Sequence, residues 1–309
     1  MDVLAGLLEG PRARGAFMIR ACFEVPWSVR IADEAPLTVM VMVAGESWIL
    51  PAGEGPAQRL RPGDIAIARG PDPYVCCDDP ATAPRAEIGP GQVCRPLGPA
   101  HAGRYRDLGV RTWGESPDGP ARMLIGTYQM RGELTARLLD ALPPVLVLPT
   151  EVWRCPLTPL LAEEIGKDEP GQDVVLDRLL DLLLIASLRA WFSRPDADPP
   201  AWYRALADPV AGPALRLIQD DPSHPWTVNA LAAKTGVSRA SLARRFTTAV
   251  GEPPMTYLTN WRLALAADQL RDSGLTVAAI ARKVGYGSAF ALSSAFKRVY
   301  GVSPQEYRP

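Results

Sequence analysis

The side chains best equipped for chemistry in this chain are cations that follow serines. Ser238 precedes Arg239, Ser241, Arg244 and Arg245, and Ser288 precedes Phe290, Ser294, Lys297 and Arg298. A guanidinium fork can donate in pairs to phosphate oxygens or to the edge of a guanine, while lysine neutralises phosphate as a point charge. Metal chemistry has far less to draw on. The chain holds only two histidines, His101 in a Gly/Pro-rich stretch and His224 before Pro225, and no His-x-His. A three-histidine metal centre within one chain is excluded. Cys76, Cys77 and Cys94 are candidate redox thiols or soft-metal ligands, or else small residues filling a core. Adjacent Cys76 and Cys77 would face opposite sides of a strand and could not share one ligand. No cofactor, metal or catalytic group is expected. Another set, Trp27, Trp48, Trp113 and Tyr74 with Arg20 and Arg30, could line a cavity for an anionic effector. The alternative reading makes these aromatics core and these arginines solvated.

A duplication positions the cations. Thr227 to Gly236 returns forty-nine residues later as Thr276 to Gly285. Ser238, Leu242, Phe246, Gly251, Pro254 and Tyr257 return at an offset of fifty as Ser288, Leu292, Phe296, Gly301, Pro304 and Tyr307. One extra residue therefore sits in the second turn. Each copy reads as a helix-turn-helix: Thr caps a short helix, Gly in the left-handed region ends it, and Ser caps a second helix. With Leu242 and Phe246 buried, Arg244 sits opposite the core, beside Ala240 and Ser241, with Arg245 on the flank and Arg239 in the first turn. The matching centre in the second copy is Ser294, flanked by Phe290, Ala291 and Lys297. Arg244 is thus expected to read guanine, and the second helix mostly to position the protein. Phe290 is placed either against a thymine methyl or against the helix joining the copies.

The C-terminal residues resemble the DNA-binding domain of the AraC/XylS family of bacterial transcription regulators. The resemblance is carried by Gly251 to Leu258, Trp261-Arg262, Ala279 to Tyr286, Ala295 to Arg298 and Gly301 to Arg308. It implies two helix-turn-helix units on a long helix, here about Thr256 to Ser273, entering adjacent major-groove segments of double-stranded DNA. Leu292, often Phe in relatives, and Ser294, often Arg, depart from the common pattern. Leu60 to Ile65, with Arg-Pro-Gly-Asp between them, and Ala141-Leu142-Pro143-Pro144 resemble the cupin-type sensor domain of one branch of that family. The helical stretch 158–192 resembles that branch's connecting helices, which implies a homodimer through them. RNA polymerase is a further possible partner.

Composition agrees with this division. Hydrophobic residues make up 47% of 309 and charged residues 22%, as in core-forming proteins. The net charge is −1, yet residues 214–309 hold 12 Lys and Arg against 6 Asp and Glu, while the remainder holds 21 against 28. A basic end on an acidic body suits a polyanionic partner. Residues before about 150 alternate β-type runs (Phe17–Ile31, Leu37–Leu50, Asp64–Arg69, Tyr74–Asp78, Met123–Met130) with turn signals. Within these, Leu37–Val43 is apolar enough to be covered on both faces. In the helical stretch, Gly171 ends one helix, Asp173 can cap the next, and Leu179 to Ile185 show too many apolar faces for a surface helix, which is either packed between barrel and tail or set at a subunit interface. Three prolines make 194–200 a linker. No stretch is long enough to span a membrane, and Met1–Gly15, with Asp2 and Glu9, does not read as a signal peptide. The expectation is a cytoplasmic multidomain α+β chain. It comprises a cupin-like β-barrel sensor (1–150), a helical dimerisation segment and linker (151–200) and an all-α double helix-turn-helix domain (201–309). The function expected is sequence-specific transcription regulation under a small-molecule effector. The rivals are a redox-responsive regulator signalling through the cysteines and a cupin-fold enzyme carrying a basic domain.

Overall fold

The computed structural model describes residues 17–128 and 132–308, apart from 54, 196 and 198. The reading of Met1–Gly15, the end of the strand expected to reach Met130, and parts of the 194–200 linker lie outside the described residues. The chain falls into two units. Of the described residues, those within 17–128 and 142–195 make one, and those within 132–141 and 197–308 the other.

Among the described residues the first unit holds thirteen strands: β1 (Phe17–Phe23), β2 (Ser28–Ile31), β3 (Leu37–Ala44), β4 (Ser47–Pro51), β5 (Gln58–Leu60), β6 (Ile65–Arg69), β7 (Tyr74–Cys77), β8 (Ala86–Gly89), β9 (Val93–Pro96), β10 (Arg106–Gly109), β11 (Thr112–Gly114), β12 (Ala121–Tyr128) and β13 (Val145–Leu148). They form a seven-stranded sheet, β10-β11-β1-β12-β3-β6-β13, and a six-stranded sheet, β5-β4-β7-β2-β8-β9. Alternate residues of both sheets share one core: Ala21, Phe23, Met40, Met42 and Met123 from the larger, Val29, Ile49, Tyr74, Cys76 and Ile88 from the smaller. This is the two-layered jelly roll of a cupin, with open edges instead of full closure. The turn expected before Ile65 is held by Asp64, whose carboxylate accepts from the Arg61 and Thr150 amides at 2.8 Å each.

Strand β3 is buried from Leu37 to Met42 on both faces, as its unbroken apolar run requires. Helices α2 (Thr158–Glu164) and α3 (Gln172–Phe192) belong to this unit. Helix α3 approaches β12 so closely that a Cβ on Gly126 would stand 2.4 Å from Leu180. The Tyr128 hydroxyl donates to the Leu180 carbonyl at 2.6 Å. Leu176, Leu180, Leu183, Leu184 and Leu188 are buried, whereas Val175 and Leu182 stay exposed. Asp173 does not cap α3. Gly171 holds the N-cap position with φ 84°, and the Asp173 carboxylate accepts instead from Arg111 at 2.6 Å.

The second unit is helical: α1 (Glu133–Leu139), α4 (Ala201–Ala205), α5 (Ala211–Asp220), α6 (Val228–Lys234), α7 (Arg239–Val250), α8 (Pro254–Asp272), α9 (Val277–Lys283), α10 (Ala289–Tyr300) and α11 (Pro304–Tyr307). Its long helix α8 serves two cores. Tyr257, Leu258 and Trp261 face Leu231, Leu242 and Phe246, while Leu263, Ala267 and Leu270 face Ile280, Leu292 and Phe296. Each helix-turn-helix thus has its own apolar centre, and one rigid helix fixes their separation. Helix α1, unforeseen in the sequence, packs on α8. Its first amide, from Glu133, donates to Asp268 at 2.6 Å, and the Glu133 carboxylate accepts from the Tyr307 hydroxyl at 2.6 Å and from Arg271 at 3.2 Å.

Candidate nucleic-acid interface and sensor cavity

The two copies of the repeat fold alike because the same capping atoms recur. Thr227 and Thr276 accept from the amides of Ala230 and Ala279, and Ser238 and Ser288 from those of Ser241 and Ala291. Each such cap is worth about 1 kcal/mol. Gly236 and Gly285 follow the first helix of each pair with φ of 70° and 88°. At Gly285 the need is double, since a Cβ would also stand 2.8 Å from Ser223. The turn from α9 to α10 is one residue longer than that from α6 to α7.

Helix α7 buries Leu242 and Phe246 completely and leaves Arg239, Ala240 and Arg244 exposed, with Ser241 half-buried. Arg245 is drawn aside: its guanidinium pairs with Asp208 at 3.1 Å. Burial raises the Asp208 carboxyl, but the Ala211 and Val210 amides and Arg245 outweigh it and hold this group below the usual carboxylate range. The sequence held no signal of that pairing, which joins residues 37 positions apart. Helix α10 buries Leu292 and Phe296 and exposes Ala291, Ser294, Lys297 and Arg298. Phe290 is 81% exposed, so it does not pack on α8. Lys234, Arg282 and Lys283, passed over in the sequence, are exposed at the ends of α6 and α9. Arg262 braces the reader from behind, donating to the carbonyls of Pro222 at 2.6 Å and His224 at 2.8 Å.

In the first unit a cavity of about 80 Å³ lies between the sheets. Its apolar wall includes Phe23, Met40, Ile88, Trp113, Met123 and Ile125. Its polar groups are Asp33, Thr38, Tyr74, Gln92 and Thr127. Of the six effector candidates, Tyr74 and Trp113 line this space. Trp27 is buried in the core, stacked on Phe23 at 4.1 Å. Trp48 lies beneath the Arg59 guanidinium. Arg20 points the other way and donates to the Ala162 carbonyl at 3.4 Å, and Arg30 pairs with Glu87. Asp33 and Gln92 were missed because each follows its strand in a loop, and parallel pairing of β2 with β8 brings those loops together.

Cys76 lines the cavity, fully in the core, and burial pushes its thiol far above the usual range. Burial, with Asp78 and Asp79 nearby, pushes Cys77 up to about 12, and burial also raises Cys94. Such thiols hold little thiolate near neutrality and react slowly with oxidants. Among the described residues no group of three His, Cys, Asp or Glu is placed to hold a metal, and no helix is long and apolar enough to cross a membrane.

Comparison with known proteins gives matches along the whole chain. Residues 2–193 match the cupin family, and residues 231–309 match a helix-turn-helix domain family. A Streptomyces antibioticus protein described as an AraC-like transcription regulator is 36% identical over 100% of this chain and 98% of its own length. One from Streptomyces lividans, described in the same words, is 35% identical over 81% of this chain and 79% of its own. Among solved structures, the C-terminal domain of AraT, a response regulator from Geobacillus stearothermophilus, is 32% identical over 33% of this chain and 84% of its own, with a TM-score of 0.32.

Proposed function

Because the chain belongs to the AraC-like transcription regulators, with a cupin domain before an AraC-type DNA-binding domain, we propose that α7 and α10 enter successive major-groove segments and that the inter-sheet cavity receives the effector. The observation that carries the first part is the outward setting of Arg244 on a helix whose opposite face is fully buried. Arg244 takes the guanine, and Arg239 takes phosphate or a neighbouring base. Ser238, Ser241, Ser288, Lys297 and Arg298 engage the backbone. Arg245 acts through Asp208 as a brace. Phe290, exposed on the first turn of α10, takes a thymine methyl near Ser294.

Selection of binding sites from random DNA tests this. Arg244→Ala should weaken binding by about 1–3 kcal/mol and relax preference at one base pair, whereas Lys297→Ala should weaken all sequences nearly equally. Phe290→Ala should lose a thymine preference at a separate position. Unchanged preference in Arg244→Ala would remove it from the reading role.

The regulator acts as a cytoplasmic homodimer, in proximity to RNA polymerase. The dimer reading is supported by the outward stripe of α3: Val175 and Leu182 are exposed, Leu179 and Ala186 half-buried, and the four recur at the spacing of a two-helix seam. Its relatives' descriptions as transcription regulators favour a sensing over a catalytic role for the cupin domain.

A further inference from the structure

The cavity's chemistry narrows what can enter it. At its polar end Asp33 is half-buried, and its two oxygens accept from the Ala35 amide at 3.1 Å and the Gln92 side-chain amide at 2.7 Å. Both donors are neutral. Among the described residues no lysine, arginine or histidine lines the cavity, and Asp33 is the sole carboxylate that does. The carboxylate's protein partners are therefore neutral donors at the rim of an apolar space, and each oxygen keeps a lone pair for a further donor. An anion entering here would meet Asp33 with no cation to offset it. Phe23, Tyr74 and Trp113 add polarisable aromatic rings to the apolar wall and no positive charge. Gln92 reaches Asp33 through a neutral side-chain amide on rotatable torsions, a partner that a charged donor can displace. A volume of about 80 Å³ is small beside the usual drug-sized pocket and limits the guest to a few heavy atoms.

We propose that the inter-sheet cavity binds a small organic cation, an ammonium on a short apolar tail, with Asp33 as its counter-ion and Gln92 displaced on entry. This rests on the reading of the cavity as the effector site and names the class of that effector.

Three five-carbon compounds of one shape test it on the full chain, by calorimetric titration and thermal unfolding: 3-methylbutylamine, 3-methylbutan-1-ol and 3-methylbutanoate. The amine should bind at least tenfold more tightly than the alcohol and raise the unfolding midpoint, with the acid weakest. Asp33→Asn should bring amine and alcohol level. Gln92→Gly, which keeps the backbone conformation and removes the competing amide, should tighten the amine several-fold. Ile125→Phe, which fills the cavity, should abolish the response. Equal binding of acid, alcohol and amine to the unaltered chain overturns the cationic class and leaves the cavity an effector site. Retention of amine binding in Ile125→Phe, or no binding of any of the three at millimolar concentration, overturns the proposal at its site.

Discussion

Raising the salt from 50 to 200 mM should lower the full chain's affinity for its operator by about two to three orders of magnitude. Arg239 and Arg244 on α7, Lys297 and Arg298 on α10, and Lys234, Arg282 and Lys283 on the helices before them are all exposed. They sit on a segment with twice as many cations as anions. If about five phosphates are neutralised per chain, log affinity falls with log salt at a slope near −4.5, and a fourfold rise in salt costs about that much. The acidic remainder of the chain adds repulsion that salt relieves, which flattens the slope slightly. Fluorescence anisotropy of a labelled operator against salt reads the slope directly. A slope shallower than about −2 would mean that these cations do not meet the backbone. Lys297→Ala should reduce the slope by about 1, whereas Phe290→Ala should leave it unchanged although affinity falls.

Two adjacent leucines of α3 should respond in opposite ways to the same change. Leu183 is 1% exposed and packs into the core, while its neighbour Leu182 is 48% exposed. Replacing Leu183 with Glu removes about 2–5 kcal/mol of packing and adds the penalty of an unpaired buried carboxylate. Together these approach the entire stability of a typical domain, and the first unit should fail to fold. Leu182→Glu leaves that core intact and places charge on the stripe with Val175. The outcome should be a folded monomer that still binds DNA, though more weakly at a two-site operator because avidity is lost. Sedimentation velocity with circular dichroism separates the cases. A Leu182→Glu protein that stays dimeric would move the self-association surface off α3. The apolar content of 179–185 marks the helix as doubly committed, yet Leu183 faces the core, and only its neighbours across the helix are placed for a partner.

What the sequence made legible was whatever recurs or caps. The forty-nine and fifty offsets bring the same Thr, Gly, Ser and aromatic residues back at the same helical positions, and local hydrogen bonds do the rest. Strand β3 was readable because seven consecutive apolar or β-branched residues leave no polar face. Strands β5, β8, β9, β10, β11 and β13 were not, because three or four residues between turns give no period to detect. Much of their identity comes from pairing partners far along the chain. The candidate cavity shows the same limit. Tyr74 and Trp113 were named because aromatics draw notice, but Asp33 and Gln92 meet only through β2 and β8. Arg20 and Arg30 are both odd steps from the inward residues Ile19, Ala21, Val29 and Ile31, and period two sends them outward.

Helix α1 has a consequence for the order in which the molecule is made. Its capping partner Asp268 lies 135 positions downstream, and Tyr307 lies 174. On the ribosome, every strand of the two sheets emerges before α8 exists. Helix α1 must therefore wait as a short segment tethered at both ends, while β12 and β13 settle into their sheet. With its ends already held by finished strands, much of the loop-closure entropy for its docking has been spent earlier in synthesis. Assembly of the helical unit is then a late event that closes on a segment made long before, and a C-terminal fragment begun after α1 leaves Asp268, Arg271 and Tyr307 without the helix they grip.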